Sequence, residues 1–253
     1  MRRGPSTFWT ILVVAVLRPL LFLLIKRDWR GQQNIPRSGG LIIVANHLSY
    51  ADPLAVAHYL YEHGRWPVYL AKSSLFEKSF LGSVLRGCGQ IPVYRQSTDA
   101  ALALRDAEKG VREGACVIFY PEGTATRDPN LWPMVGKTGA VRLAIDTGAP
   151  VIPLAHWGAH ELLPYGEKKP RLFPRKTMRI VAGPPADLSR YREKGTTAEN
   201  LRAATADVMG SVTALLADLR GEEPPAKPFD PRAAARESGA TGDAGATDER
   251  RSA

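Results

Sequence analysis

Short apolar runs separated by stretches of helical spacing fill the chain from residue 39 to about residue 219. The runs at 41–45, 68–71, 91–94, 115–120, 151–155 and 178–182 are rich in β-branched and aromatic residues and too short for helices, so they predict strands. Between them, residues 53–63, 98–113, 139–147 and 198–219 repeat their apolar positions at helical intervals. The helix at 98–113 has Ser97 in the capping position and Gly114 just past its end. Strand–helix alternation of this kind predicts an α/β fold, with a mostly parallel central sheet and helices on both faces.

The two ends depart from that pattern. Residues 8–25 are apolar and flanked by Arg2-Arg3 on one side and Lys26-Arg27 on the other. As a helix those 18 residues reach roughly 27 Å, short of a comfortable bilayer crossing, and Arg18-Pro19 falls near the middle. The expectation is an N-terminal membrane-anchoring segment over residues 1–30, a bent helix pair entering one leaflet with Trp9 and Trp29 at its margins. A signal peptide is the competing reading, but no small-residue cleavage site follows. Residues 31–220 are expected to form the main domain. Residues 221–253 are rich in Pro, Ala, Gly and charge, and are expected to be a disordered tail.

Composition adds the sign of the partner. The chain carries a net charge of +9, and its tail is net acidic, so the body is more basic still. Anionic partners are implied: a membrane surface, a phosphorylated substrate or nucleic acid. The basic residues are dispersed and no nucleic-acid motif is present, so nucleic acid ranks last. Cys88 and Cys116 fit neither a disulfide framework nor a metal spacing, and are expected to be reduced and packed inside.

Three clusters carry chemistry, and each follows a strand-like run. Asn46-His47-Leu48-Ser49-Tyr50-Ala51-Asp52-Pro53 lets the Asp52 carboxylate orient the His47 imidazole as a base. The alternative is structural: Asp52 caps a helix and His47 occupies a turn. Gly89-Gln90-Ile91-Pro92-Val93-Tyr94-Arg95 places Arg95 after a strand, where its guanidinium would hold phosphate or, read in isolation, be a solvated surface charge. Lys72 has the same placement. In Tyr120-Pro121-Glu122-Gly123-Thr124, with Arg127 shortly after, Gly123 permits a sharp turn and close approach of backbone N–H groups. Parallel strands bring their carboxyl ends to one sheet edge, where open α/β folds bind ligands, so His47, Lys72, Arg95 and Glu122 would gather there.

Other motifs fail. Gly136-Lys137-Thr138 lacks the first glycine of a P-loop, since position 131 is Leu. His160-Glu161-Leu162-Leu163 runs into Pro164 and cannot form the zinc-protease helix. His156 and His160 are read as loop residues, and no metal site is expected. No Gly-x-Ser-x-Gly elbow exists.

The ordered series resembles the membrane-associated glycerolipid acyltransferases, specifically bacterial 1-acyl-glycerol-3-phosphate acyltransferases. His47 through Asp52 looks like that family's histidine–four spacers–aspartate motif. Residues 89–95, 120–124 and Val151-Ile152-Pro153-Leu154 look like its second, third and fourth blocks, and Lys72 and Lys137 fall where the family commonly has basic residues. One departure stands out: the third block usually continues with arginine and serine, but Ala125-Thr126 follow here, with Arg127 next. The resemblance implies His47 and Asp52 as catalytic residues, and Lys72, Arg95, Glu122, Gly123, Thr124 and Arg127 as substrate-binding. It implies acyl transfer from acyl-CoA or acyl-carrier protein to the sn-2 hydroxyl of 1-acyl-glycerol-3-phosphate, without a cofactor. The expected location is the cytoplasmic face of the plasma membrane, with a monotopic or single anchor. Two rivals remain: an acyltransferase for another lysophospholipid head group, and a non-catalytic lipid-binding protein.

Overall fold

The computed structural model describes residues 5–77, 79–93, 97–234 and 236. Seven strands form one sheet: β1 (Ile25–Arg30), β2 (Leu41–Ala45), β3 (Pro67–Lys72), β4 (Ile91–Val93), β5 (Cys116–Phe119), β6 (Val151–Trp157) and β7 (Lys176–Ala182), in the order β1-β7-β6-β2-β5-β3-β4. The pairs β2–β5, β2–β6, β3–β5 and β3–β4 are parallel. β7 runs antiparallel to β6, and β1 runs parallel to β7. The starts of β1 and β7 therefore lie on the same sheet edge as the carboxyl ends of the other strands.

The helices are α1 (Thr7–Leu24), α2 (Asp52–Glu62), α3 (Ser74–Glu77), α4 (Ser79–Gly87), α5 (Ser97–Arg112), α6 (Gly139–Thr147), α7 (Ala159–Leu162), α8 (Ser189–Arg192) and α9 (Ala198–Arg220). Because successive strand side chains point to opposite faces, the central strands bury both sides. Ile42 and Val44 join Val117 under α5, α6 and α9. Leu41, Ile43 and Ala45 join Ile118 and Ile152 under α2 and the end of α1. Full burial on two faces explains why these strands are continuous apolar runs rather than alternating ones.

The N-terminal region differs from expectation in three ways. It holds one helix, α1, rather than a bent pair, and the helix runs through Pro19. Arg18 is tolerated because Glu62 of α2 grips its guanidinium, at 2.6 and 3.3 Å. Residues 25–30, read as part of the anchor, are instead the edge strand β1, and Trp29 packs edge-on against His58 and Tyr59 at 4.9 and 5.6 Å. Where β1 leaves the sheet, Gly31 has φ +77, and a Cβ there would lie 2.0 Å from the Ala182 carbonyl oxygen. α1 is apolar and long enough to cross a membrane by length and composition, and only 6% of it is buried. Trp9 lies against Gly87, where a Cβ would sit 2.1 Å from the indole, so α4 is the surface on which the start of α1 rests.

At the other end, structure continues past residue 221. Phe229 forms a parallel bridge with Met134, and its carbonyl accepts from Val135 N at 3.0 Å. Cys88 and Cys116 are free and buried, and burial pushes the Cys116 thiol up to about 12, which makes it inert.

Candidate active site

β2 delivers Asn46 and His47 to the carboxyl edge of the sheet, and the chain turns there before α2. Asp52 is fully buried, and one oxygen, Oδ2, accepts from His47 Nδ1 at 2.7 Å, Leu48 N at 2.5 Å and Ser49 N at 2.8 Å. The carboxylate thus faces back into the preceding loop; Ala51, not Asp52, holds the N-cap position of α2. In this geometry Asp52 contacts the His47 ring and its loop rather than capping α2. Donation by His47 Nδ1–H to a carboxylate fixes the tautomer and leaves Nε2 with its lone pair. The His47 side chain is 14% exposed, enough for a substrate hydroxyl to reach it.

Other elements hold the imidazole in place. Its ring stacks on Tyr120 at 4.5 Å, and Tyr120 is nearly parallel to Tyr69 at 6.2 Å. Burial keeps both phenols well above their ordinary range, so they stay neutral and serve as an apolar floor. Asn46, just past β2, and His156, on adjacent β6, exchange amide and backbone bonds at 2.9 and 3.1 Å. His156 Nε2 also lies 2.6 Å from the Asn46 carbonyl oxygen and 3.7 Å from Asp52 Oδ2. Burial lowers the His156 pKa, so its imidazole is neutral near pH 7 and Nε2–H donates to Asn46. The sequence reads His156 as a loop residue; β6 extends through it, and only the tertiary fold reveals its place beneath the His47 loop.

The 120–124 turn docks directly on His47. Glu122 is buried and spends one oxygen on His47 N at 2.8 Å and the other on Met134 N at 3.0 Å. Burial nonetheless pushes its carboxyl up to about 8. Expected as a substrate ligand, Glu122 is committed instead to bracing two backbone segments. Thr126 N adds a bond to the His47 carbonyl at 2.7 Å. Gly123 turns at φ +74, and a Cβ there would come within 2.5 Å of Lys137 Nζ, so the missing side chain makes room for an ammonium. Thr124 Oγ1 lies 3.4 Å from the Tyr165 hydroxyl.

Exposed cations stand at the same sheet edge. Lys72 ends β3, Lys137 faces Gly123, and Arg127 follows the turn with its backbone N–H on Met134 Sδ at 3.2 Å. Ala125 is buried at 1% exposure, so an arginine there would need room this packing lacks. Arg95 lies outside the described residues. Val151–Leu154 is a buried strand beside β2, so the fourth block supports the site rather than lining it.

A family model described as Acyltransferase matches residues 26–157, just over half the chain. Among curated proteins, the chain is 36% identical over 125 residues to a 1-acyl-sn-glycerol-3-phosphate acyltransferase of Borreliella burgdorferi, covering 49% of this chain and 48% of that protein. It is 30% identical over 145 residues to a chloroplastic protein of the same name from Brassica napus, covering 56% of this chain and 40% of that one. A Bacillus subtilis protein so named is 28% identical over 154 residues, covering 61% and 70%. The chain thus spans about half the length, or less, of the first two relatives. Among solved structures, the 1-acyl-sn-glycerophosphate acyltransferase PlsC of Thermotoga maritima superposes with a TM-score of 0.64 at 22% identity, over 86% of this chain and 83% of that one, a likeness of fold.

Proposed function

The chain belongs to the Acyltransferase family, and from that premise we propose that it transfers an acyl group from acyl-CoA or acyl-carrier protein to the sn-2 hydroxyl of 1-acyl-glycerol-3-phosphate, giving phosphatidate for phospholipid synthesis. The observation that carries this reading is the His47–Asp52 contact of 2.7 Å at the sheet's carboxyl edge. The names of the relatives supply the acceptor.

The reaction needs no acyl-enzyme. His47 Nε2 takes the proton of the sn-2 hydroxyl as its oxygen attacks the thioester carbonyl. Asp52 stabilises the imidazolium that forms. Collapse of the tetrahedral adduct breaks the carbon–sulfur bond, and the imidazolium returns its proton to the leaving thiolate. Ester and thiol are the products. Lys72, Lys137 and Arg127, with Arg95 assigned on the resemblance, hold the acceptor's phosphate. The Gly123–Thr124 turn shapes its glycerol site. A general base contributes about 10²–10⁴-fold in rate.

The acceptor and product are lipids, so α1 is assigned as the anchor that holds the site rim against the cytoplasmic face of the plasma membrane. The test is an acyl-transfer assay with detergent-solubilised protein, both donors and a panel of lysophospholipids, following thiol release and product mass. Phosphatidate from lysophosphatidate is expected. Product from another lysolipid alone would move the acceptor. No thiol release with either donor would overturn the activity.

A further inference from the structure

The segment between β6 and β7 crosses the sheet edge from the candidate site to the end of α1, and it is tied down at both ends. On the site side, Ser49 Oγ donates to the Leu163 carbonyl at 2.5 Å, and the Tyr165 ring lies 5.4 Å from that of Tyr50. At the far side, the Arg175 guanidinium donates to the Phe22 and Ile25 carbonyls at 2.8 and 2.7 Å, closing the last turn of α1.

Between these ties the segment is exposed and basic. Residues 166–176 contain Lys168, Lys169, Arg171, Arg175 and Lys176 against one acid, Glu167, which Arg171 engages at 2.7 Å. Lys168 and Lys169 are exposed and form no salt bridge among the described residues. Beside them stands Phe173 at 76% exposure, the most exposed large apolar side chain among the described residues. An aromatic ring held in solvent among lysines suits a boundary between water and lipid. Through Arg175 the segment reaches the end of α1, a helix on which Val16, Leu20 and Leu23 are exposed and which exposed Lys26 and Arg27 follow.

We propose that residues 164–176 form a docking lip for an anionic lipid surface, with Phe173 entering the interface and Lys168 and Lys169 meeting lipid phosphates. The inference rests on the reading of α1 as a membrane anchor. Because the lip touches Tyr50 and Thr124 at one end and α1 at the other, it fixes how the mouth of the site meets the bilayer.

The test uses full-length protein carrying Phe173→Cys, labelled with an environment-sensitive fluorophore; the native thiols are buried and escape labelling. Val16→Cys, on the exposed side of α1, is the control. Vesicles of phosphatidylcholine with and without phosphatidylglycerol are compared. The label at 173 is expected to shift to the blue and resist an aqueous quencher only with phosphatidylglycerol present, and to lose that protection at high salt. Changing Lys168 and Lys169 to Gln should weaken insertion roughly 25-fold, about fivefold per cation. A label at 173 open to quencher on anionic vesicles, while position 16 is protected, would overturn the lip alone. Both positions open would overturn the anchor as well. Neither result depends on whether acyl transfer is observed.

Discussion

Asp52 and the cations around it occupy one sheet edge but are held in opposite ways. Asp52 is sealed from water with three donors on a single oxygen, and the loop it anchors is bonded to Glu122, Thr126 and the Asn46–His156 pair. Lys72, Arg127 and Lys137 stand exposed and form no salt bridge among the described residues. The proton-moving group must hold one tautomer and one orientation before substrate arrives, and a redundant, buried network supplies that. A phosphate brings its own charge, so cations that meet it can wait in water, where keeping them charged costs little. On the proposed mechanism, preorganisation is concentrated where a proton moves and is absent where a charge is merely held.

That contrast is broken most severely at Asp52. Asp52→Asn keeps the shape but puts a neutral amide in a position that now accepts three bonds, so the His47 tautomer is no longer fixed. Turnover should fall by about 10²–10⁴-fold. The buried network should also lose about 1–3 kcal/mol of stability by denaturant titration. Normal turnover would place the orienting group elsewhere.

On the rim the expected effects are smaller and of another kind. Lys137→Ala should raise the acceptor KM roughly tenfold, as one lost charge-assisted contact of about 1.4 kcal/mol would, with turnover and melting temperature nearly unchanged. Gly123→Ala should raise KM in the same direction, because its Cβ takes the place of the Lys137 ammonium. It should also cost about 1 kcal/mol of stability, since φ is +74. Steady-state kinetics with varied lysophosphatidate check both. Arg127→Ala should change KM least of these, since its side chain forms no hydrogen bond or ion pair among the described residues.

The smallest effect sharpens the comparison through pH. Glu122 is raised from 4.5 to about 8 by burial, so between those values the folded chain holds a proton that the unfolded chain releases. Its contribution to stability is therefore greatest at the acid end and is lost as pH rises towards about 8. Urea titrations should show the unfolding free energy declining across that window, and Glu122→Gln should remove the slope. A slope that persists unchanged in the variant would assign it to another group.

Much of this architecture was legible because the central strands are buried on both faces and so appear as uninterrupted apolar runs. The strand β1 was missed for the opposite reason: at the sheet margin, Lys26-Arg27-Asp28-Trp29-Arg30 carries mostly polar side chains and reads as a basic flank to the apolar helix. The short helices α3 and α4 left too few turns for a period to show. His47 and Asp52 were legible through their spacing, which a loop between strand and helix translates into contact. Glu122 was found but its partners were not, because they are backbone N–H groups that no sequence pattern marks. His156 and the Gly123–Lys137 contact depend on strands and turns meeting in space, and residue spacing carries no trace of either.

The most direct measurement is the turnover and acceptor KM of His47→Ala, with its fold verified by melting temperature, beside those of Lys137→Ala. Loss of turnover by at least about 10²-fold in the first, with KM raised and turnover kept in the second, is the expected pair of results. A folded His47→Ala enzyme that forms phosphatidate at the wild-type rate would contradict the assignment of His47 as the base.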